Sequence, residues 1–239
     1  MGRIIAVVNQ KGGVGKTTTA VNVAGYISNK DRKVLIVDVD PQGNSTLGLG
    51  FDKENEMENV YHVLIESVPV KSVIKNTALQ GLDLIPSNID LTGAEIELVN
   101  VENKETKLKN ALQDVKNDYD VIFIDTPPSL GLLTLNALVA ADSALIPMQC
   151  EFYALDGLGQ LIRTIELVKQ SFNPSLVIEG VVITMFDSRT NLAVQVVEEI
   201  KKKFQDKVYE TIIPRNVRLS EAPSFGRPIN IYDKNSRGA

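Results

Sequence analysis

The chain has 239 residues, 44% hydrophobic and 23% charged, enough apolar content for one α/β domain with a large core, which excludes a disordered or fibrous protein. Its formal net charge of −5 excludes a surface coated in positive charge, so any contact with nucleic acid has to come from a local patch. One cysteine, Cys150, excludes an internal disulfide and suits a reducing compartment, and one histidine, His62, without cysteine or histidine neighbours, argues against a transition-metal site or a Ser-His triad.

Met1-Gly2-Arg3 runs directly into an apolar segment, so no signal peptide is expected. No apolar run approaches the ~20 residues that span a bilayer. The first strand is expected over Ile4-Ile5-Ala6-Val7-Val8, followed by the glycine loop Lys11-Gly12-Gly13-Val14-Gly15-Lys16-Thr17-Thr18 and a helix over 16–29. Val34-Leu35-Ile36-Val37 reads as a second strand ending at Asp38-Val39-Asp40-Pro41. Residues 51–81, the least regular stretch, read as a small helical excursion. Leu82-Asp83-Leu84-Ile85 is a third strand, stopped by Pro86, with a helix expected over 103–116. Val121-Ile122-Phe123-Ile124 is a fourth, ending at Asp125-Thr126-Pro127-Pro128 before a helix over 130–141. Ala144-Leu145-Ile146 precedes Pro147 and a helix over 154–171. A strand over 177–185, interrupted at Glu179-Gly180, leads to a helix over 190–204, and a last strand over 208–213 ends at Pro214.

Unbroken apolar strands, each followed by a helix, predict a doubly wound, mostly parallel sheet with helices on both faces. Neither a linker nor a repeat is visible, so residues 1–239 are expected to form one domain. In such sheets ligands sit beyond the carboxyl ends of the strands. Asp38, Asp40, Asp125 and Asn216 all fall at those ends, which predicts one nucleotide site there.

Strand, glycine loop and helix together make a phosphate-binding loop. Glycines let backbone N–H groups turn inward at a phosphate chain, and the helix N-terminus adds free donors and partial positive charge. Lys16 is placed to neutralise the β- and γ-phosphates, the Thr17 hydroxyl to ligate Mg²⁺ and Thr18 to bond the α-phosphate. The usual spacing G-x-x-x-x-G-K-[ST] is missed at its first glycine, where Gln10 stands, and an additional lysine, Lys11, opens the loop.

K-G-G-x-G-K-T-T resembles the deviant Walker A loop of the ParA/MinD family of P-loop ATPases. The resemblance implies that Lys11 acts in trans, on nucleotide held by a second subunit. Asp38-Val39-Asp40-Pro41-Gln42-Gly43-Asn44 resembles the family's first switch, which implies that Asp40 positions and polarises the attacking water and that Asp38 belongs to the Mg²⁺ shell. Asp125-Thr126-Pro127-Pro128-Ser129-Leu130-Gly131 resembles a Walker B aspartate with the second switch, Asp125 holding Mg²⁺ through water. Its other reading, a helix entry with Ser129 as N-cap, is compatible with that role. Pro214-Arg215-Asn216-Val217-Arg218-Leu219-Ser220-Glu221-Ala222-Pro223 resembles the late loop of the ParA branch, which implies that Pro214 and Asn216, with Met185, contact adenine. Arg189 and Arg218 match positions that carry sequence-independent DNA binding in chromosomal relatives. Lys201-Lys202-Lys203 suits a solvated helix end favoured by the macrodipole.

The resemblance therefore implies a cytoplasmic, nucleoid-associated partitioning ATPase. ATP and Mg²⁺ would close a homodimer that binds double-stranded DNA non-specifically, and a ParB-type centromere-binding partner would trigger an otherwise slow hydrolysis. A MinD-like, membrane-associated ATPase that positions division machinery shares the loop. It calls for a C-terminal amphipathic helix, which 225–239 does not show. D-P-Q-G-N and S-E-A-P-S favour the partitioning branch, and no stable membrane association is expected. A metallocluster-assembly relative would need dedicated bridging cysteines, for which Cys150 alone is a poor fit.

Overall fold

Alternate residues of the apolar strands enter two separate cores. In β1 (Arg3–Val7), Ile4 and Ala6 pack into one and Ile5 and Val7 into the other. In β2 (Val34–Asp38), Leu35 and Val37 join the first core, and Val34 and Ile36 the second. A strand covered on both faces has no solvent side to be polar, which is why the runs read as unbroken.

The computed structural model describes all residues except Met1, Asn29, 54–57, 152–153 and 187–190, and it describes the backbone alone of Ala154, Asp156, Asn191 and Leu192. After β1 and β2, the chain-order elements are α1 (Lys16–Ser28), α2 (Asn44–Gly48), α3 (Val60–Leu64), α4 (Val70–Val73), β3 (Lys75–Asn76), β4 (Leu82–Ile85), α5 (Leu91–Glu97) and α6 (Lys107–Gln113). They continue as β5 (Val121–Asp125), α7 (Leu132–Ala140), β6 (Ser143–Gln149), α8 (Ala154–Ser171), β7 (Val177–Phe186), α9 (Asn191–Phe204), β8 (Ile213–Pro214), α10 (Val217–Glu221) and α11 (Ile229–Tyr232). The sheet order is β3-β4-β2-β5-β1-β6-β7-β8, parallel throughout except for β3 against β4. Ala20, Val21 and Ala24 of α1 close one core, while α3 to α9 cover the other face. The doubly wound architecture is therefore as expected. Among the described residues no helix is long and apolar enough to cross a membrane.

Polar side chains tie the central strands together at their ends. Asp120 Oδ2 accepts from Lys33 N at 2.9 Å ahead of β5 and β2. Asp142 Oδ2 accepts from Ile4 N at 2.8 Å ahead of β6. At the opposite end Thr126 Oγ1 donates to Val7 O at 2.8 Å.

Several expected boundaries move, each for a local reason. β6 continues through Pro147 to Gln149. Its pairing with β1 ends at Leu145, so the missing proline N–H has no ladder partner to lose, and the Pro147 carbonyl instead accepts from Asn9 Nδ2 at 2.8 Å. The expected strand over 208–213 is a single bridge, Val208 to Val181, followed by the short β8. Tyr209, Glu210 and Thr211 between them are exposed, so no apolar run holds them to the sheet. The helix over 103–116 is broken: a 3₁₀ turn, Lys104–Thr106, precedes α6, and another, Lys116–Asp118, follows it. Gly131, not Ser129, is the N-cap of α7; the Ser129 carbonyl accepts from Thr134 Oγ1 at 2.8 Å.

The turn after α2 meets the C-terminal segment through two glycines, both left-handed: Gly50 (φ 86°) and Gly226 (φ 61°). A Cβ on Gly226 would stand 2.5 Å from Gly50 Cα and 2.9 Å from its nitrogen, so backbone would have to move. Gly226→Ala is expected to destabilise the chain by roughly 2–3 kcal/mol from strain and overlap together. Thermal unfolding followed by circular dichroism checks this. Gly159→Ala in α8, where an added Cβ meets nothing within 4 Å, is the matched control and should be neutral or slightly stabilising.

Candidate functional site

Three strand ends define the site. Val7, Asp38 and Asp125 lie side by side in register on β1, β2 and β5, and the loop 9–15 folds over them. Gly13 (φ 71°) and Gly15 (φ 90°) take the left-handed conformations that turn the loop's N–H groups inward. A Cβ on Gly13 would meet nothing within 4 Å, which leaves the cradle open. Thr19 N donates to Gly15 O at 2.9 Å and starts α1 beneath it.

The two loop lysines have different surroundings. Lys16 is 6% exposed, and its Nζ donates to Lys11 O at 3.2 Å. Burial lowers its pKa, while Asp125 and Asp40 act to raise it. Lys11 points outward, its ammonium paired with Glu151. Its backbone is fixed by Asn9, whose Oδ1 accepts from Lys11 N at 3.0 Å.

Beneath Lys16 sit buried carboxylates. Both oxygens of Asp38 are engaged: Oδ1 accepts from Asp40 N at 3.1 Å, and Oδ2 from Thr46 N at 2.9 Å and Thr46 Oγ1 at 2.8 Å. Asp125 Oδ2 accepts from Ser45 Oγ at 2.8 Å, whereas Oδ1 is buried without a hydrogen-bond partner among the described residues. Burial pushes the pKa of both carboxyls up, and mutual repulsion adds to the shift at Asp38. The Thr17 and Ser45 hydroxyls and Lys16 work against the shift at Asp125. Asp40 is 5% exposed, and its Oδ1 accepts from Gln42 N at 2.9 Å.

A buried, unpartnered carboxylate oxygen beside a second carboxylate and a threonine hydroxyl suits a hard divalent cation. Among the described residues no three acidic, histidine or cysteine side chains form a complete cage, so the fit is to a cation that draws its other ligands from water and phosphate.

Met185, Pro214 and Asn216 line one cleft with Gly15 and Thr18, a cavity of about 210 Å³ that also includes Tyr26 and Leu219. The expected base contacts and the phosphate loop thus share one continuous space. Met185 holds a left-handed conformation (φ 50°) where the β7–β8 pairing shifts register. Such strain in a non-glycine residue is typical of functional positions. Asn216 Oδ1 accepts from Leu219 N at 3.1 Å as the N-cap of α10. Arg218 is exposed on α10 but not free: Nη1 donates to Glu221 Oε2 at 2.8 Å, and Nε lies 3.5 Å from Asp233 Oδ2. Arg189 lies outside the described residues.

Other polar contacts join the parts. Gln149 Nε2 donates to Gly13 O at 3.2 Å and to Met185 Sδ at 2.8 Å, linking the glycine loop to the cleft that Met185 lines. Thr184 Oγ1 donates to Val14 O at 2.7 Å. Ser87 N donates to Thr46 Oγ1 at 3.0 Å and Ser87 Oγ to Asp40 O at 2.8 Å, fixing the segment that carries both aspartates. Sequence reading missed Ser45, Thr46 and Ser87. Ser45-Thr46 directly after D-P-Q-G-N was a usable signal, but nothing near Ser87 marked it. Burial pushes the Cys150 thiol up to about 11.

A family described as an AAA domain matches residues 2–178. The sporulation initiation inhibitor protein Soj of Bacillus subtilis is 58% identical over 239 residues, covering 100% of this chain and 94% of its own. The chromosome partitioning protein ParA of Myxococcus xanthus is 56% identical, covering 100% of this chain and 84% of its own. Among solved structures, a cobyrinic acid a,c-diamide synthase of Mycobacterium smegmatis, with bound ATP analogue and magnesium, superposes with a TM-score of 0.86 at 40% identity, over 95% of this chain and 93% of that one.

Proposed function

The chain belongs to the family of Soj and ParA chromosome-partitioning ATPases, and from that premise we propose that it is a single-domain, ATP-driven DNA-partitioning switch. ATP fills the loop and the cleft, with Lys16 on the β- and γ-phosphates, Thr18 on the α-phosphate, the N–H groups of 12–15 around the chain, and Met185, Pro214 and Asn216 against the base. Thr17, Asp38 and Asp125 would hold Mg²⁺. Bound magnesium supplies positive charge at the phosphate oxygens and relieves the repulsion between the two aspartates. Asp40 orients the attacking water, a positioning role that phosphoryl transfer requires more than covalent chemistry.

The observation that carries the switch is the contrast between the lysines. Lys16 is buried in its own site, whereas Lys11 is more exposed and, among the described residues, its ammonium is held only by an ion pair with Glu151. That disposition supports a role for Lys11 across a dimer interface, on the partner's nucleotide. Gly12 supports the same reading. Among the described residues a Cβ there would meet only Pro128 Cβ, at 3.8 Å, so none of them demands glycine, and close approach from outside the chain would. The closed dimer binds double-stranded DNA without sequence preference, Arg218 and Arg189 of each subunit tracking phosphates, and a ParB-type protein accelerates slow hydrolysis. The protein would then be cytoplasmic and nucleoid-associated.

Binding to random-sequence DNA with ATP, with ADP and without nucleotide tests this, with Asp40→Ala blocking turnover. The expected result is ATP-dependent binding that weakens steeply with salt and falls at least about tenfold in Arg218→Glu, at unchanged ATP affinity. An ATP-bound dimer that ignores DNA but binds anionic vesicles would overturn the reading in favour of the membrane-associated branch.

A further inference from the structure

The segment that leaves β4 presents an apolar stripe that no described part of the chain covers. Ile89 is 63% exposed, Ile96 75% and Val99 55%. With Thr92 and Gly93 between them they recur at i, i+3, i+4, i+7 and i+10, one face of the helical turns that run from Ile89 through α5. A stripe of this spacing on a water-facing helix lacks a partner.

Its surroundings are acidic. Residues 88–105 carry five carboxylates, Asp90, Glu95, Glu97, Glu102 and Glu105, against one lysine. That lysine, Lys104, has its ammonium on the Val99 carbonyl at 2.5 Å. Tyr61 OH donates to both oxygens of Glu97, at 3.1 and 3.2 Å, which holds this carboxylate beside the stripe.

The same segment touches both parts of the site that carry aspartates. At its start, Ser87 bonds to Thr46 and to the Asp40 carbonyl. In the middle, Glu95 Oε1, buried and without a hydrogen-bond partner among the described residues, fills the space a Cβ on Gly131 would take, 2.3 Å from where that atom would stand, and Gly131 follows Asp125-Thr126-Pro127-Pro128.

We propose that the outer face of α5 and its flanking turns is the docking surface for a cationic amphipathic helix of a second protein, which reaches the hydrolytic residues through Ser87 and Glu95. Charge decides against a second copy of this chain as the occupant. Two such faces brought together would set carboxylates against carboxylates, and an anionic membrane would be repelled for the same reason. A helix with leucine-like anchors at i, i+3, i+4 and i+7 and lysine or arginine at its edges satisfies both stripe and rim. Identifying that helix with part of the ParB-type partner rests on the function proposed above; the surface itself does not.

The test uses the full chain, Ile96→Asp, Glu97→Lys and, as a control on a remote exposed residue, Ile231→Asp. Two probes are applied: a purified ParB-type protein, and a synthetic leucine–lysine amphipathic helix. Ile96→Asp and Glu97→Lys should each weaken binding of both probes at least about tenfold, and lower partner-stimulated turnover accordingly. Unstimulated turnover and ATP affinity should stay within about twofold, and Ile231→Asp should behave as wild type. Synthetic-helix binding and partner stimulation that both survive the two substitutions would overturn the docking site and leave the partitioning reading intact. If the synthetic helix binds this face and the ParB-type protein does not, the docking site stands and the partner assignment fails. Loss of the ATP-dependent dimer in Ile96→Asp, seen by light scattering, would show that the face belongs to self-association and overturn the proposal.

Discussion

Lys16→Ala is expected to lose ATP affinity by roughly 10²–10³-fold, measured by titration with a fluorescent ATP analogue. Among the described residues Lys16 is the one cation buried near Asp38, Asp40 and Asp125, and it is 6% exposed. Truncating one partner of a buried charge cluster costs about 3–5 kcal/mol, because the remaining charges stay buried without compensation. Here the phosphates would have to enter a site whose fixed charge has become wholly negative. Lys16→Arg should fail almost as badly. The ammonium fits beneath the loop with its Nζ on Lys11 O, whereas a planar guanidinium needs more width and a different donor geometry. ATP affinity unchanged in Lys16→Ala would remove the phosphate-loop assignment.

Asp40→Ala should do the opposite: keep ATP, the dimer and DNA, and lose turnover by about 10²–10⁴-fold, the range typical of a positioned proton acceptor. Asp40 Oδ1 is committed to Gln42 N, and among the described residues no hydrogen bond engages the other oxygen. Asp38 and Asp125 stay in place without it, since their partners are Thr46, Ser45 and the Asp40 backbone N–H, which alanine also supplies. Phosphate release and analogue binding should therefore separate in this variant. Loss of binding along with turnover would mean that Asp40 holds the site together, and its role as water-positioning residue would be gone.

The sheet was legible because its strands are apolar on both faces and end in aspartate or proline. The same signal misled at Pro147, which sits past the last β1 pair and so does not end its strand. It also misled over 208–213, where three exposed residues separate a bridge from a two-residue strand. The phosphate loop and the carboxylates that face it were readable because charge and glycine there have no structural use on that scale. Ser87 and Gln149 were not readable. Each joins parts of the site that are far apart in sequence, and a lone serine or glutamine carries no pattern. Arg218 shows another limit: its residue type announces a cation, but only the fold reveals that Glu221 and Asp233 already hold it.

The two-core sheet has a consequence for misfolding. In a half-exposed strand, slipping by one residue drives apolar groups into water and is rejected at once. Here a one-residue slip of β2 or β5 would merely exchange one oily layer for the other, a weak penalty. Fidelity must then come from the polar ends: Asp120 on Lys33 N, Asp142 on Ile4 N, and Thr126 on Val7 O. A slipped β5 would carry Asp125 out of line with Asp38 while leaving the domain compact, a near-native decoy with ordinary stability and no site. Aspartates at the amino ends of the strands thus act as proofreaders for aspartates at the carboxyl ends.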